Sequence, residues 1–248
     1  DRAAICWDRL RGRPAAEAQA AAAAQMALFV PAPYPAEAGA PDAGPAEAEA
    51  APAWRAPVRP ALWQLNRTYI LAETRAGLLI VDQHSAHERV LFEQMMHDFA
   101  RAGAAAQRLL FPIPVRLPPD EYETAESLAE LFRRAGFEIE PFGRGTVVLL
   151  GVPNPHPYFD AERCFREMVH ELTHGSPLVN SARTQHERIA KSFACKAAIK
   201  AGQPLSDAEM AELFDRLFAT ELPGHDVHGR PTIVRLSYDE LARRFGRA

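Results

Sequence analysis

The 248 residues carry 28 Lys and Arg against 32 Asp and Glu, a formal net charge of −4, and 48% of them are hydrophobic. This slightly acidic balance excludes a globally basic nucleic-acid binder but leaves room for a local basic patch. No apolar run reaches the roughly 18 residues a membrane-spanning helix needs, so no membrane partner is expected.

Taken in chain order, residues 1–60 are rich in Ala, Pro and Glu and hold too few large side chains to offset ordering entropy; they read as a disordered linker. The chain begins at Asp1 without a basic and apolar export signal, and reads as the tail piece of a longer protein. Cys6, Cys164 and Cys195 are too few and scattered for a disulfide framework, which points to a reducing cytoplasm. From Ala61 the pattern changes. ALWQLNRTYILAET and GLLIVDQ are strand-like runs separated by Arg75, Ala76 and Gly77, a hairpin signal. Ser85 to Ala102 then takes helical period, with Leu91, Met95 and Phe99 four apart and Gly103 as the stop.

Residues 107–175 read as a self-contained insert. The expected elements are a strand LLFPIPVRL, a helix from Pro119 to Ala135, strands FEIEPF and TVVLLGV, and a helix from Asp160 to His174, with Pro and Gly at the boundaries. Two more helices follow, Ala182 to Ala201 and Asp207 to Thr220, the second with Ser206 and Glu209 as a capping box. The irregular ELPGHDVHGR leads into a strand PTIVRL and a short last helix YDELARRF. The fold class is α+β.

Four stretches carry chemistry. In DQHSAHERVLFE, Asp82 ends a strand while His84 and Glu88 share one helix face, so carboxylate and imidazole can meet on one ion such as Zn²⁺ or Mn²⁺, with Glu93 as support. The same residues also fit a capped helix with Glu88 solvated. In GHDVHGRP, His225, Asp226 and His228 are either ligands or a glycine turn with exposed histidines. Cys195 in FACKAAIK is a ligand or a buried small hydrophobe. Lys196 and Lys200, four apart beside it, are the two cations best placed to meet DNA phosphates. QRLLFP, with Gln107, Leu110 and Pro112, suits an extended docking peptide or an ordinary strand.

In combination these stretches resemble the C-terminal domain of endonuclease-type MutL mismatch-repair proteins. DQHSAHERVLFE resembles the family's DQHA, two residues, E, four residues, E. FACKAAIK is similar to its Ala-Cys motif, DVHGRP to its Cys-Pro-His-Gly-Arg-Pro, and FGR at Phe245 to Arg247 to its closing Phe, any residue, Arg. Ser85 stands where the family has Ala, and Asp226 and Val227 where it has Cys and Pro.

The resemblance implies a homodimeric domain with a dimerisation subdomain at 61–103 and 178–248 and an external, regulatory subdomain at 104–177. It implies nicking of duplex DNA through Asp82, His84 and Glu88. The ions would be Mn²⁺ or Mg²⁺, with Zn²⁺ structural or regulatory, on Asp82, His84, Glu88, Cys195, Asp226 and His228. Gln83, Glu93, Lys196, Gly229, Arg230, Pro231, Phe245 and Arg247 would support the site, Lys196 and Arg230 by offsetting phosphate charge. An Asp oxygen at 226 in place of a thiolate shifts metal preference toward harder ions. QRLLFP would bind the polymerase sliding clamp, and the mismatch-recognition protein MutS would be a further partner. The setting would be a cytoplasmic, nucleoid-associated protein whose ATP-binding half precedes this chain. His87 fits no motif position and is expected to be exposed. The rival expectation is a nuclease-inactive dimerisation and clamp-binding module with a structural metal.

Overall fold

The computed structural model describes residues 60–101, 103–153 and 155–247; all of the expected linker except Pro60 lies outside them. Two antiparallel sheets, each backed by helices, give the expected α+β class. The first sheet has the order β1 (Leu62–Leu65), β2 (Tyr69–Thr74), β3 (Gly77–Asp82) and β7 (Ile233–Ser237). The second has the order β4 (Gln107–Arg116), β6 (Thr146–Val152) and β5 (Glu138–Gly143). Among the described residues no helix is long and apolar enough to cross a membrane.

The run read as one strand from Ala61 is two. Asn66 and Arg67 both take positive φ (50° and 47°), the left-handed pair that a tight hairpin turn needs, so the chain reverses before β2. Gly77 sits where a Cβ would meet the Leu236 carbonyl oxygen at 2.1 Å, so only glycine lets β7 approach β3 there.

Helix α1 (Gln83–Ala100) starts two residues before the expected Ser85 because Asp82 caps it, its Oδ1 accepting the Ser85 amide at 2.9 Å. The expected helix at 119–135 is interrupted at Leu128, giving α2 (Pro119–Ser127) and α3 (Ala129–Arg134). Then come α4 (Ala161–His174), the short α5 (Pro177–Asn180) and α6 (Gln185–Ala197). Helix α6 is shorter than the 182–201 expected: Thr184 caps it and Ala198 turns extended (ψ 146°), leaving Lys200 beyond its end. Helix α7 (Asp207–Phe218) carries the expected Ser206–Glu209 capping box, and α8 (Tyr238–Arg244) closes the fold.

Two apolar cores result. Alternation on the first sheet turns Ile70, Ala72, Leu79 and Val81 inward against Val90 of α1 and Met210, Phe214 and Leu217 of α7. The second core gathers Phe132, Phe137 and Phe165 with ring centroids 5.0–6.2 Å apart. Helix α1 serves both, contributing Leu91, Met95 and Phe99 to the second core, and α6 sends Ile189, Phe193 and Ala194 there too. The insert thus completes its core with side chains from outside residues 104–177.

The other face of the first sheet keeps an apolar row in register, Trp63–Leu71–Ile80–Val234. Trp63 and Val234, at its two ends, are about half exposed.

Candidate metal centre

Antiparallel pairing of β3 with β7 brings two distant stretches of sequence together. The Asp82 amide donates to the Thr232 carbonyl at 3.0 Å, which sets the 224–232 loop beside the first turns of α1. Arg89 then fastens that loop. Buried, it donates from Nε to the His225 carbonyl (2.6 Å) and from Nη2 to the Asp226 carbonyl (2.8 Å).

Glu88 is fully buried and lies at the centre. Its Oε1 accepts no well-aligned hydrogen bond, although His84 Nε2 stands 3.2 Å away and His228 Nε2 3.7 Å away. Glu88, Cys195 and His228 each bring one ligand atom within 4.8 Å of the others. His84 joins this group through Glu88. Its Nδ1 lies 2.7 Å from the Ile199 carbonyl oxygen, which must accept, so Nδ1 carries a proton and Nε2 is the nitrogen turned toward Glu88. A histidine oriented by a backbone carbonyl in this way is a common arrangement for a metal ligand. The Glu88 carboxylate, 3.2 Å from its Nε2, raises the His84 pKa against the opposing effect of burial. Burial pushes the Cys195 thiol up, and the Glu88 charge adds to it. An acidic oxygen without a good donor, faced by imidazole nitrogens and a thiol, fits a divalent cation.

The other expected ligands are placed differently. Asp82 uses Oδ1 to cap α1. Asp226 is buried with its oxygens turned on its own loop: Oδ1 accepts the His228 and Arg230 amides (2.8 and 2.9 Å), and Oδ2 accepts Arg230 Nε at 2.6 Å. Burial works to raise its pKa, but those Arg230 and His228 donors outweigh it and hold the carboxyl below the usual range. Arg230 spans from Asp226 to Glu88 Oε2 (3.2 Å) with its side chain half exposed.

Among the supporting residues, Gln83 is fully buried and donates to the Arg67, Lys200 and Gln203 carbonyls, tying the first hairpin turn to the segment after α6. Glu93 accepts the Glu221 and Leu222 amides. Gly229 takes φ 82° in the loop turn, and Pro231 pairs with His225 in an isolated bridge. Lys196 is ion-paired with Glu171, and Lys200 donates to the Cys195 carbonyl at 2.8 Å, so both ammonium groups are engaged within the chain. Phe245 stands exposed with Arg247 over its ring. In β4 the pairing with β6 shifts register between Arg108 and Ile113, and Leu110 and Phe111 are 86% and 79% exposed. Gln107 and Pro112 flank them in the same strand.

His87 corrects an expectation. It is fully buried, not exposed, and its Nδ1 accepts the Ile199 amide at 3.0 Å. Burial, with His156 next in effect, pushes its pKa well down. Glu88 likewise is no solvated acid. Arg89 was missed altogether, because the carbonyls it bonds lie more than 130 residues away and only β3–β7 pairing reveals them.

The family model for the MutL C terminal dimerisation domain matches residues 62–205, more than half of the chain. The chain belongs to that family. It is 52% identical over 200 residues to the DNA mismatch repair protein MutL of Gemmatimonas aurantiaca, covering 81% of this chain and 33% of that protein. MutL proteins of Chlorobaculum tepidum (42% over 211 residues; 84% and 32% covered) and Chlorobaculum parvum (40% over 188; 76% and 30%) are also similar. The chain spans about a third of the length of these relatives.

Proposed function

We propose that this MutL-family domain homodimerises and nicks duplex DNA by metal-dependent phosphodiester hydrolysis, docking on the sliding clamp. The observation that carries the reading is the buried Glu88 carboxylate, whose Oε1 accepts no hydrogen bond while His84, His228 and Cys195 turn ligand atoms toward it. Glu88, His84, His228 and Cys195 would hold the ion, Asp82 lying at the mouth of the same helix. Bound Mn²⁺, Mg²⁺ or Zn²⁺ would supply a Lewis acid and an acidified water. The protein's own part is orientation and charge. Ile199 fixes the His84 tautomer, Arg89 fixes the loop that carries His228, and the half-exposed Arg230 guanidinium offers a cation to a phosphate.

Dimerisation is supported by the apolar row Trp63–Leu71–Ile80–Val234 on the open face of the first sheet. Clamp docking is supported by Leu110 and Phe111, large apolar side chains held outward on an out-of-register stretch of strand.

Asp82→Asn tests the nuclease reading cleanly, since Asn caps a helix as well as Asp does. The purified variant should lose nicking of supercoiled plasmid in Mn²⁺ yet sediment as a dimer. Undiminished nicking would sink the nuclease mechanism. The rival, a dimerisation and clamp module with a structural ion, is favoured by the thiol and imidazole in the Glu88 group, a donor set that suits Zn²⁺. It predicts no nicking by either protein and a lowered melting temperature on chelation.

A further inference from the structure

We propose that Glu121, His170 and His174 form a second site for a borderline divalent ion of the Zn²⁺ class, sharing no residue with the Glu88 group. Each offers one ligand atom within 4.8 Å of the others. His170 and His174 are four apart in the last turns of α4, so both imidazoles leave the same face, and their ring centroids lie 4.4 Å apart. Both converge on one oxygen from a different helix. Glu121 Oε1, in the first turn of α2, is 2.7 Å from His170 Nδ1 and 3.4 Å from His174 Nε2.

Two features separate this cluster from a casual surface contact. The Glu121 side chain is only 7% exposed, and among the described residues no Lys or Arg forms an ion pair with it; its partners are these two imidazoles. A buried carboxylate calls for a positive charge. An imidazole supplies one only when protonated; otherwise its lone pair is available to a metal that supplies the charge instead.

Both glutamate–histidine spacings are also close to what an ion needs. Four ligands at zinc's distance of about 2.0 Å stand roughly 3.3 Å from one another in a tetrahedron. The Glu121–His174 separation is already near that, and the Glu121–His170 hydrogen bond needs to open only by about 0.6 Å on the same geometry. Asp120 Oδ2, 3.8 Å from His174 Nε2, or water completes the set. Bound metal would staple the start of α2 to the end of α4.

The test is zinc content and thermal melting of the full chain in the Cys195→Ser background, which removes the thiol of the Glu88 group. After loading and dialysis, this protein should hold one more zinc equivalent than the same chain with His170→Asn and His174→Asn. Added Zn²⁺ should raise the melting temperature of the first protein by more than that of the second, because both keep Glu88, His84 and His228. His174→Asn alone should weaken the site more than about tenfold. Equal zinc content and equal melting shifts would overturn the proposal, leaving a hydrogen-bonded cluster only. Should the double substitution disturb the circular dichroism spectrum, Glu121→Gln, which keeps the shape, takes its place with the same two outcomes. The comparison holds whether or not the Glu88 group supports nicking.

Discussion

Two nearly buried glutamates, Glu88 and Glu121, each gather two histidines, but they are built in opposite ways. Glu88 lies under a roof made by three separated stretches, α1, the end of α6 and the 224–232 loop. Its histidines, 84 and 228, meet only because β7 pairs with β3. Glu121 lies between two packed helices of one unit, and its side-chain partners are 46% and 64% exposed. The first arrangement buries the carboxylate and leaves an acidic oxygen without a good donor. The second leaves solvent access and has a hydrogen bond already formed. A site that holds a carboxylate dissatisfied spends stability for chemistry; one that satisfies it adds cohesion.

The largest expected effect sharpens that contrast. Glu88→Gln should reduce metal-dependent nicking at least about 100-fold while leaving the chelator-treated protein no less stable, because a neutral amide in that position has less desolvation to endure. A marked loss of stability in chelator would instead make Glu88 a structural anchor. Chemical denaturation in parallel with plasmid nicking reads both.

Next in size is Asp226→Ala. It removes an acceptor for the His228 and Arg230 amides and the partner of Arg230 Nε, and should cost about 1–3 kcal/mol in denaturant titrations. Because the same loop carries His228, metal affinity should fall alongside stability. If Asp226 binds the ion directly, affinity should fall with stability untouched.

The smallest effect calibrates both sites with a solvent-facing carboxylate. Glu187 accepts the Arg183 amide and pairs with Lys191 at 2.9 Å, and these partners hold its pKa below the ordinary carboxylate range, the amide contributing most. Its stabilisation is therefore complete above the ordinary carboxylate pKa and disappears as pH falls through the depressed value. Screened by water, Glu187→Gln should cost only about 0.5 kcal/mol at neutral pH. The two proteins should converge in acid; a gap that persists there would point to packing instead of charge.

The same contrast shows what the amino-acid order reveals. Local features were legible: the Ser206–Glu209 capping box, the strand-to-helix junction at Asp82, and the facing pair His84 and Glu88 all follow from spacing within one or two turns. The turn at Asn66 and Arg67 was not, because neither residue is glycine and the apolar run reads on through them. Nor was the end of α6 at Ala197, where nothing but Gly202 marks a stop and the backbone is instead captured by His84 and His87 through Ile199. The roles of His87, Arg89 and Asp226 rest on partners that tertiary packing brings in, which no periodicity encodes. Glu121, His170 and His174 escaped notice for the same reason: two of them are a visible pair four apart, but the third comes from another helix.

A divalent ion held by the Glu88 group is what the nuclease reading needs first. Anomalous X-ray diffraction from crystals of the chain grown with Mn²⁺, and separately with Zn²⁺, tests it most directly. A peak is expected within about 2.0–2.6 Å of Glu88 Oε1, also ligated by His228 Nε2. A well-ordered Glu88 with no anomalous peak beside it in either crystal would contradict it.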